Sequence, residues 1–302
     1  MEHNKRIIAL GFFDGVHVGH GALLRRVGEV ARATGGIPSA VTFDSHPELR
    51  TEGHPIPLIN SLEDRVGLMR REYGIRDVMV IPFDDRMMRV PWEEFLTRVL
   101  VGEYCATHLV AGHDFHFGYR GEGDPDKLRG ACARLGIGCD IIGQVTLEGT
   151  PVSSTYIRGL LTEGNLTRAN QFLGHPHILT HRVEHGKKLG SRLGFPTVNL
   201  AFPPGVLVPA HGVYAARVWL EDEQSHMAVT NIGLRPTVEE SDRVTVESYI
   251  LDFSGELYGK YIRVELHQYL RPERKFPSVE ELTAEVIRNA EQTRACFSKK
   301  DA

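Results

Sequence analysis

The sequence predicts two domains of different class: an α/β half built on a parallel sheet, then an all-β half of antiparallel strands closed by a helix. Three observations carry this. The chain has 302 residues, more than one small core usually organises. In the first half short apolar runs alternate with amphipathic stretches, the strand–helix–strand rhythm of a parallel sheet. In the second half the period falls to two, with no helical stretches between the strands.

Taken in order, residues 7–10 (IIAL) read as a buried strand. A Gly/Asp/His loop then leads into a helix where Leu23, Leu24, Val27, Val30 and Ala31 recur at helical spacing, with a stop at Gly35-Gly36. Residues 39–43, 77–82, 107–112 and 138–143 are the further strands, and 61–73, 92–103 and 125–135 the helices between or after them. Tyr73, Trp92, Phe95 and Leu96 read as core. Sheets of this kind bind ligands beyond the carboxyl ends of their strands. A short helix precedes a junction near residues 174–180, with the boundary placed between 175 and 176. Strands follow at 213–220, 227–232, 244–253 and 261–267; in the last, Ile262, Val264 and Leu266 face one way and Arg263, Glu265 and His267 the other. Gly/Pro turns between such strands suggest a barrel or a sandwich. The final helix, 279–297, opens with Ser278 as N-cap and Glu281 in the capping-box position.

Composition narrows the function classes. With 41% hydrophobic and 25% charged residues the chain is globular, which excludes a disordered one. A net charge of −4 offers no basic field, so nucleic-acid binding is not expected. No apolar run reaches the ~20 residues that span a bilayer. The amino-terminal apolar run is too short for a signal peptide, so a cytoplasmic chain without a membrane partner, monomeric or weakly self-associating, is expected. Four cysteines without a CxxC pair indicate neither a disulfide framework nor a zinc ribbon. Of the 15 histidines, His175, His177, His181 and His185 form a string that reads as surface or linker residues, not as a metal site.

Two stretches carry chemistry in the first half. Gly11-Phe12-Phe13-Asp14-Gly15-Val16-His17-Val18-Gly19-His20 joins the first strand to the first helix. Its glycines allow close backbone approach, the helix start favours phosphate, and His17 and His20 can donate hydrogen bonds to phosphate oxygens. Val152-Ser153-Ser154-Thr155-Tyr156-Ile157-Arg158 places hydroxyls at a helix start and a cation one turn in. An ordinary N-cap accounts for the second alone; the two together point to a nucleotide.

The second half has its own constellation, residues 185–200 (HGKKLGSRLGFPTVNL), which combines glycines, cations and a rigid Phe-Pro-Thr. It is not a P-loop. Thr197 and Asn199 are hard oxygen ligands suited to Mg²⁺ carried on ATP. Glu247, mid-strand with Thr245 and Tyr249 on the face opposite Val244, Val246 and Ile250, is either a solvent-facing carboxylate or a general base for phosphoryl transfer to an alcohol.

With these residues in view, the chain resembles bacterial bifunctional FAD synthetases over residues 7–297. The runs GFFDGVHVGH, FDSHP (43–47), GHDFHFG (112–118) and VSSTYIR are similar to the adenylyltransferase module. GKKLGSRLGFPTVNL, TNIGLRPT (230–237), the stretch from Glu247 to Phe253, LYG (257–259) and LRPERKF (270–276) are similar to riboflavin kinase. The resemblance implies a Rossmann-like nucleotidyltransferase followed by a six-stranded antiparallel β-barrel with a terminal helix. It implies phosphorylation of riboflavin to FMN and adenylylation of FMN to FAD, with ATP as co-substrate and Mg²⁺. Gly11, Phe13, Asp14, Gly15, His17, His20, Ser154, Thr155 and Arg158 would hold ATP for adenylylation, with Asp44, Asp114 and Phe115 near nucleotide and flavin. In the kinase, Gly186, Lys188, Gly190, Gly194, Pro196, Thr197, Asn199 and Arg271 would bind ATP or flavin, Thr197 and Asn199 would ligate Mg²⁺, and Glu247 would activate the ribityl hydroxyl. The chain departs from the family at Ser45, usually proline, at His116, usually arginine, at Ser191, often arginine, and at Val198, usually alanine. Loss of a permanent charge at 116 keeps two other readings open: a kinase with weak or no adenylylation, and a flavin-binding regulator with degenerate sites.

Overall fold

The computed structural model describes residues 5–46, 56–185, 194–235 and 243–298. The chain divides into two compact units, Met1–Pro57 with Arg65–Ser153 and Leu58–Asp64 with Ser154–Ala302.

At the centre of the first unit runs β1 (Arg6–Leu10), whose Ile7, Ile8, Ala9 and Leu10 are each at most 1% exposed. An unbroken apolar run suits a strand covered on both faces, and each Ile or Leu buried there is worth about 1.5–3 kcal/mol. With β2 (Ile37–Phe43), β3 (Asp77–Ile81), β4 (Ala106–Gly112) and β5 (Gly138–Ile142) it forms a parallel sheet in the order β3-β2-β1-β4-β5. The chain builds outward from β1 through β2 to β3, then returns to the other side of β1. Strand order therefore reverses at β1, which makes the carboxyl end of β1 a topological switch point.

Helices cover the sheet: α1 (Val18–Thr34), α2 (Leu62–Tyr73), the short α3 (Asp85–Met88) and α4 (Trp92–Glu94), and α5 (Pro125–Leu135). α1 ends on Gly35 in the left-handed conformation (φ 71°), as the paired glycines predict. The helix expected over 92–103 is α-helical only for its first turn and π-helical from Phe95 to Glu103. Its Phe95 and Leu96 are core residues, packed with Ile8, Leu10 and Leu109. Tyr73 and Trp92 are half-buried. The two-residue strands β6 (Thr146–Leu147) and β7 (Thr150–Pro151) are too short for any periodicity to announce them.

The second unit holds α6 (Ser154–Thr162), α7 (Leu166–Leu173) and six strands: β8 (His177–Arg182), β9 (Thr197–Ala201), β10 (Gly212–Trp219), β11 (Ser225–Arg235), β12 (Arg243–Ile250) and β13 (Tyr261–Arg271). All neighbours in the order β8-β13-β10-β11-β12-β9 are antiparallel. Among the described residues a bridge, with Glu184 N donating to Asn199 O at 2.8 Å, joins the two ends of the curled sheet. This selects the barrel over the sandwich. Inside, Ile232, Val246, Ile250, Ile262, Val264 and Leu266 are buried, and the Thr230 and Ser248 hydroxyls satisfy each other at 2.9 Å. The terminal helix α8 (Val279–Ser298) packs on the outer face of β10, β11 and β13. Ser278 Oγ accepts from Glu281 N at 3.2 Å, the cap expected from the sequence.

One expectation is overturned. His175 and His177 are buried, His177 to 1% exposure inside β8, so they are not surface or linker residues. α7 stops at Gly174 and the strand begins three residues later, with Ile178 and Leu179 carrying it inward. Asn170 Oδ1 accepts from His177 N at 2.9 Å, tying helix to strand.

Candidate active sites

The first candidate site sits where strand order reverses. Gly11 to Val16 leaves β1 through a loop with three residues at positive φ, Phe13 at 60°, Gly15 at 77° and Val16 at 42°. For Phe and Val this region is strained, and strain of this kind survives only where the surroundings hold it. Phe12 provides the anchor. Its carbonyl accepts from Thr42 Oγ1 at 2.8 Å and from Arg65 Nη1, while Arg65 Nη2 donates to Phe43 O at 3.0 Å. The Arg65 side chain is fully buried and its guanidinium lies 4.0 Å over the Phe12 ring. Burial lowers its pKa to about 10, against the opposing pull of Asp14 and Asp44.

That loop delivers His17 to the N-cap of α1. His17 Nδ1 accepts from His20 N at 3.2 Å, so the neutral imidazole carries its proton on Nε2. The two rings stack at 3.6 Å with 12° between planes, and a Cβ at Gly19 would lie 3.1 Å from the His17 ring, which favours glycine there. His20 is half-buried with Nδ1 shielded from water. Desolvation, then the neighbouring His17 and Arg65, hold its pKa well below the usual range, so the His20 imidazole is neutral near pH 7. Neutral imidazoles at a helix start can donate N–H to phosphate without attracting a counterion.

Phe13 is buried against Gly11 and edge-on to His20, so its side chain packs inside the loop. Asp14 is buried as well. Asp44, just past β2, accepts from Phe83 N at 2.9 Å. Asp114 is exposed just past β4, Phe115 stacks on Phe117 at 5.4 Å, and His116 donates from Nδ1 to Asp114 O at 3.0 Å. In the second unit, Ser154 and Thr155 open α6, and Arg158 Nη1 donates to Thr155 Oγ1 at 3.4 Å.

The second candidate site is built on the outer face of the barrel. Register places Glu247 between Asn199 on β9 and Asn231 on β11, and Tyr249 opposite Thr197. Glu247, Thr197, Asn231, Tyr249 and Arg271 line a cavity of about 290 Å³, closed by Leu282, Val286 and Asn289 of α8. The mid-strand carboxylate is therefore part of a cavity wall. Two bulges in β13 bring Arg271 there: the first puts Tyr269 opposite Tyr214, the second Arg271 opposite Val213. Thr197 also lines an adjoining cavity of about 380 Å³ with Pro196, Val198, Phe253 and Tyr258. Glu273 Oε1 accepts from Asn231 Nδ2 at 3.1 Å, and its carboxylate rests on Gly233, where any Cβ would collide at 1.8 Å. Gly194 is described, at φ 84°; Gly186, Lys188, Gly190, Ser191, Pro236 and Thr237 lie outside the described residues.

Family models match both halves, FAD synthetase over residues 1–156 and riboflavin kinase over 173–297. Bifunctional riboflavin kinase/FMN adenylyltransferases align with almost the whole chain. That of Listeria monocytogenes is 35% identical, covering 98% of this chain and 93% of the relative. Those of Bacillus subtilis and Pseudomonas fluorescens are 33% and 36% identical, covering 98% and 97% of this chain and 94% of each relative. The chain belongs to this family. A solved structure of a macrolide-efflux protein from Streptococcus pneumoniae is 28% identical and superposes with a TM-score of 0.84 over 96% of this chain and 94% of that one. No helix among the described residues is long and apolar enough to cross a membrane.

Among the described residues, the cavity of the second unit gathers Thr197, Glu247 and Arg271, and the loop after β1 carries Gly11, Phe13, Asp14, Gly15, His17 and His20. Arg65, Asn231, Glu273 and Asn289 were not singled out by sequence, and each lies at one of the two sites. Asn231 and Glu273 do fall within the quoted runs TNIGLRPT and LRPERKF.

Proposed function

We propose that this chain transfers the γ-phosphoryl group of ATP to the 5′-hydroxyl of riboflavin, then transfers AMP from a second ATP to FMN, releasing pyrophosphate and FAD. The observation that supports the reading is that two separate groups of residues with phosphate-handling chemistry stand on two different cores. One set stands at the switch point of a parallel sheet, the other around a barrel cavity that contains a carboxylate.

In the kinase step Glu247 takes the proton of the ribityl hydroxyl as its oxygen attacks the γ-phosphorus, and ADP leaves. Thr197 stands on the wall shared by two adjoining cavities, a place suited to the junction of nucleotide and acceptor. Thr197 and Asn199 offer two neutral oxygens on one strand face, which fits Mg²⁺ retaining phosphate oxygens and waters for its other positions. Bound there with ATP, the ion would neutralise phosphate charge. Arg271 donates to the flavin; Gly186, Lys188, Gly190, Gly194 and Pro196 complete the ATP-binding segment.

In the adenylyl step an FMN phosphate oxygen attacks the α-phosphorus of ATP and the bond to pyrophosphate breaks. His17 and His20 donate to oxygens whose charge rises during transfer. Gly11, Phe13, Asp14 and Gly15 shape the turn. Ser154, Thr155 and Arg158 bind triphosphate, and Asp44, Asp114 and Phe115 lie near nucleotide and flavin. The modules comprise residues 1–175 and 176–302, and the enzyme works in the cytoplasm as a monomer or weak oligomer, without nucleic-acid or membrane partners.

Incubation with riboflavin, Mg²⁺ and ATP, with products resolved by chromatography, tests this. FMN followed by FAD is expected. FMN alone would reduce the chain to a kinase, and neither product would make it a flavin-binding regulator.

A further inference from the structure

Glu285 is a carboxylate 6% exposed on the barrel-facing side of α8. Three guanidinium groups surround it: Arg271 Nε stands 3.2 Å from Oε1, and Arg274 Nη2 and Arg288 Nη1 stand 2.7 and 3.1 Å from Oε2. Desolvating a carboxylate costs several kcal/mol, and an apolar contact holds a helix to a barrel as well as a buried ion cluster does. Packing alone is therefore a poor reason for a charge at this position.

The three arginines are not equivalent. Arg274 and Arg288 are largely exposed, with side chains 53% and 64% accessible, whereas Arg271 is 18% accessible and lines the cavity that holds Glu247. Arg271 Nε and Nη2 both donate to Asn289 Oδ1, at 3.2 and 3.1 Å, and Nη1 donates to Pro272 O at 3.1 Å. Of the five guanidinium N–H groups, this leaves one on each terminal nitrogen for an oxygen acceptor in the cavity. The carboxylate and the Asn289 amide thus fix the rotation of the group as well as its position.

We propose that Glu285 is a positioning residue for the kinase reaction: with Asn289 it holds the Arg271 guanidinium at the cavity wall in the orientation that receives the flavin. The proposal rests on the assignment of that cavity to riboflavin. Glu285 touches no substrate and acts through Arg271. Ordering the arginine before the flavin arrives removes an entropic cost from binding, so the effect falls on KM rather than kcat.

The full-length enzyme supplies its own control, since FMN-to-FAD conversion reports on the other site. Glu285→Gln, nearly isosteric, is expected to raise the riboflavin KM by about tenfold, the loss of one charge-assisted contact. The kcat should stay within about twofold and adenylylation should be unchanged. Adding Asn289→Asp returns a carboxylate to the same two Arg271 nitrogens, and the double variant is expected to recover most of the KM. A Glu285→Gln enzyme that unfolds at lower temperature yet keeps the native KM would make Glu285 a staple only and overturn the proposal. Recovery of stability without recovery of KM in the double variant would overturn it equally. Arg271→Gln separates the two levels: an unchanged KM there removes the cavity assignment itself, while a raised KM there with a native KM in Glu285→Gln removes only the positioning role.

Discussion

Arg65 shows how one side chain can hold a strained turn in place. A lysine there would keep the charge, yet a single ammonium cannot bridge the carbonyls of Phe12 and Phe43 while also lying flat on the Phe12 ring. Arg65→Lys is expected to slow FMN adenylylation by about tenfold, through loss of about one charged hydrogen bond's worth of turn stability. FMN formation from riboflavin should be unaffected, and steady-state rates of the two half-reactions check both. His17, His20, Thr197, Asn199 and Glu247 are legible as candidates in the sequence because their types and spacing state their chemistry. Arg65 and Glu285 are not, because a charged residue in a helix reads first as solvent-facing. A signal was present in both cases: Arg65 stands four residues before Met69 on the buried stripe of α2, and Glu285, Asn289, Thr293 and Phe297 fall four apart on the buried stripe of α8. Polar residues in register with an apolar face mark buried partners.

Among the elements, those with a clean period were legible and those that break it were not. α1, α5, α8 and the strands of the parallel sheet stand within a residue or two of their expected ends. β8 escaped because polar His177, Thr180, His181 and Arg182 dilute its short apolar core. The bulges of β13 escaped because alternation carried past residue 267 would put Tyr269 and Arg271 on the same face, whereas the two register shifts pair Tyr269 with Tyr214 and Arg271 with Val213. β8 also carries a pH liability. Desolvation, with His175 beside it, lowers the His177 pKa from 6.5 to about 4, so the folded state keeps it neutral. Between those values the unfolded chain binds more protons, and stability is full above about pH 6.5 and is lost as pH falls toward 4. Urea unfolding of His177→Gln is expected to show a flatter dependence on pH across that window than the native enzyme. An equal slope in both would place the acid sensitivity elsewhere.

At the scale of the whole molecule, two folds with separate cores carry two reactions that share a metabolite. Removing one proton acceptor should therefore silence one reaction and leave the other. Glu247→Gln is expected to abolish FMN formation while FMN-to-FAD conversion persists. His17→Asn is expected to do the reverse, since asparagine preserves the helix cap but not the imidazole donor. Loss of both activities in either folded variant would refute independent sites. Fold class was readable at this scale because the change from helical to two-residue period is a property of long stretches. Among the described residues the two ends of the curled sheet meet at the bridge from Glu184 to Asn199, and no periodic signal encodes an isolated contact of this kind.

The cap at the start of α1 makes secondary structure and acid–base state the same variable. Nδ1 of His17 can receive the His20 amide only while it keeps its lone pair. A proton arriving there removes the acceptor and sets a positive charge at the positive end of a helix dipole, so cap and charge fail together. The order of the first turn of α1 is thereby tied to the charge of the side chain that caps it.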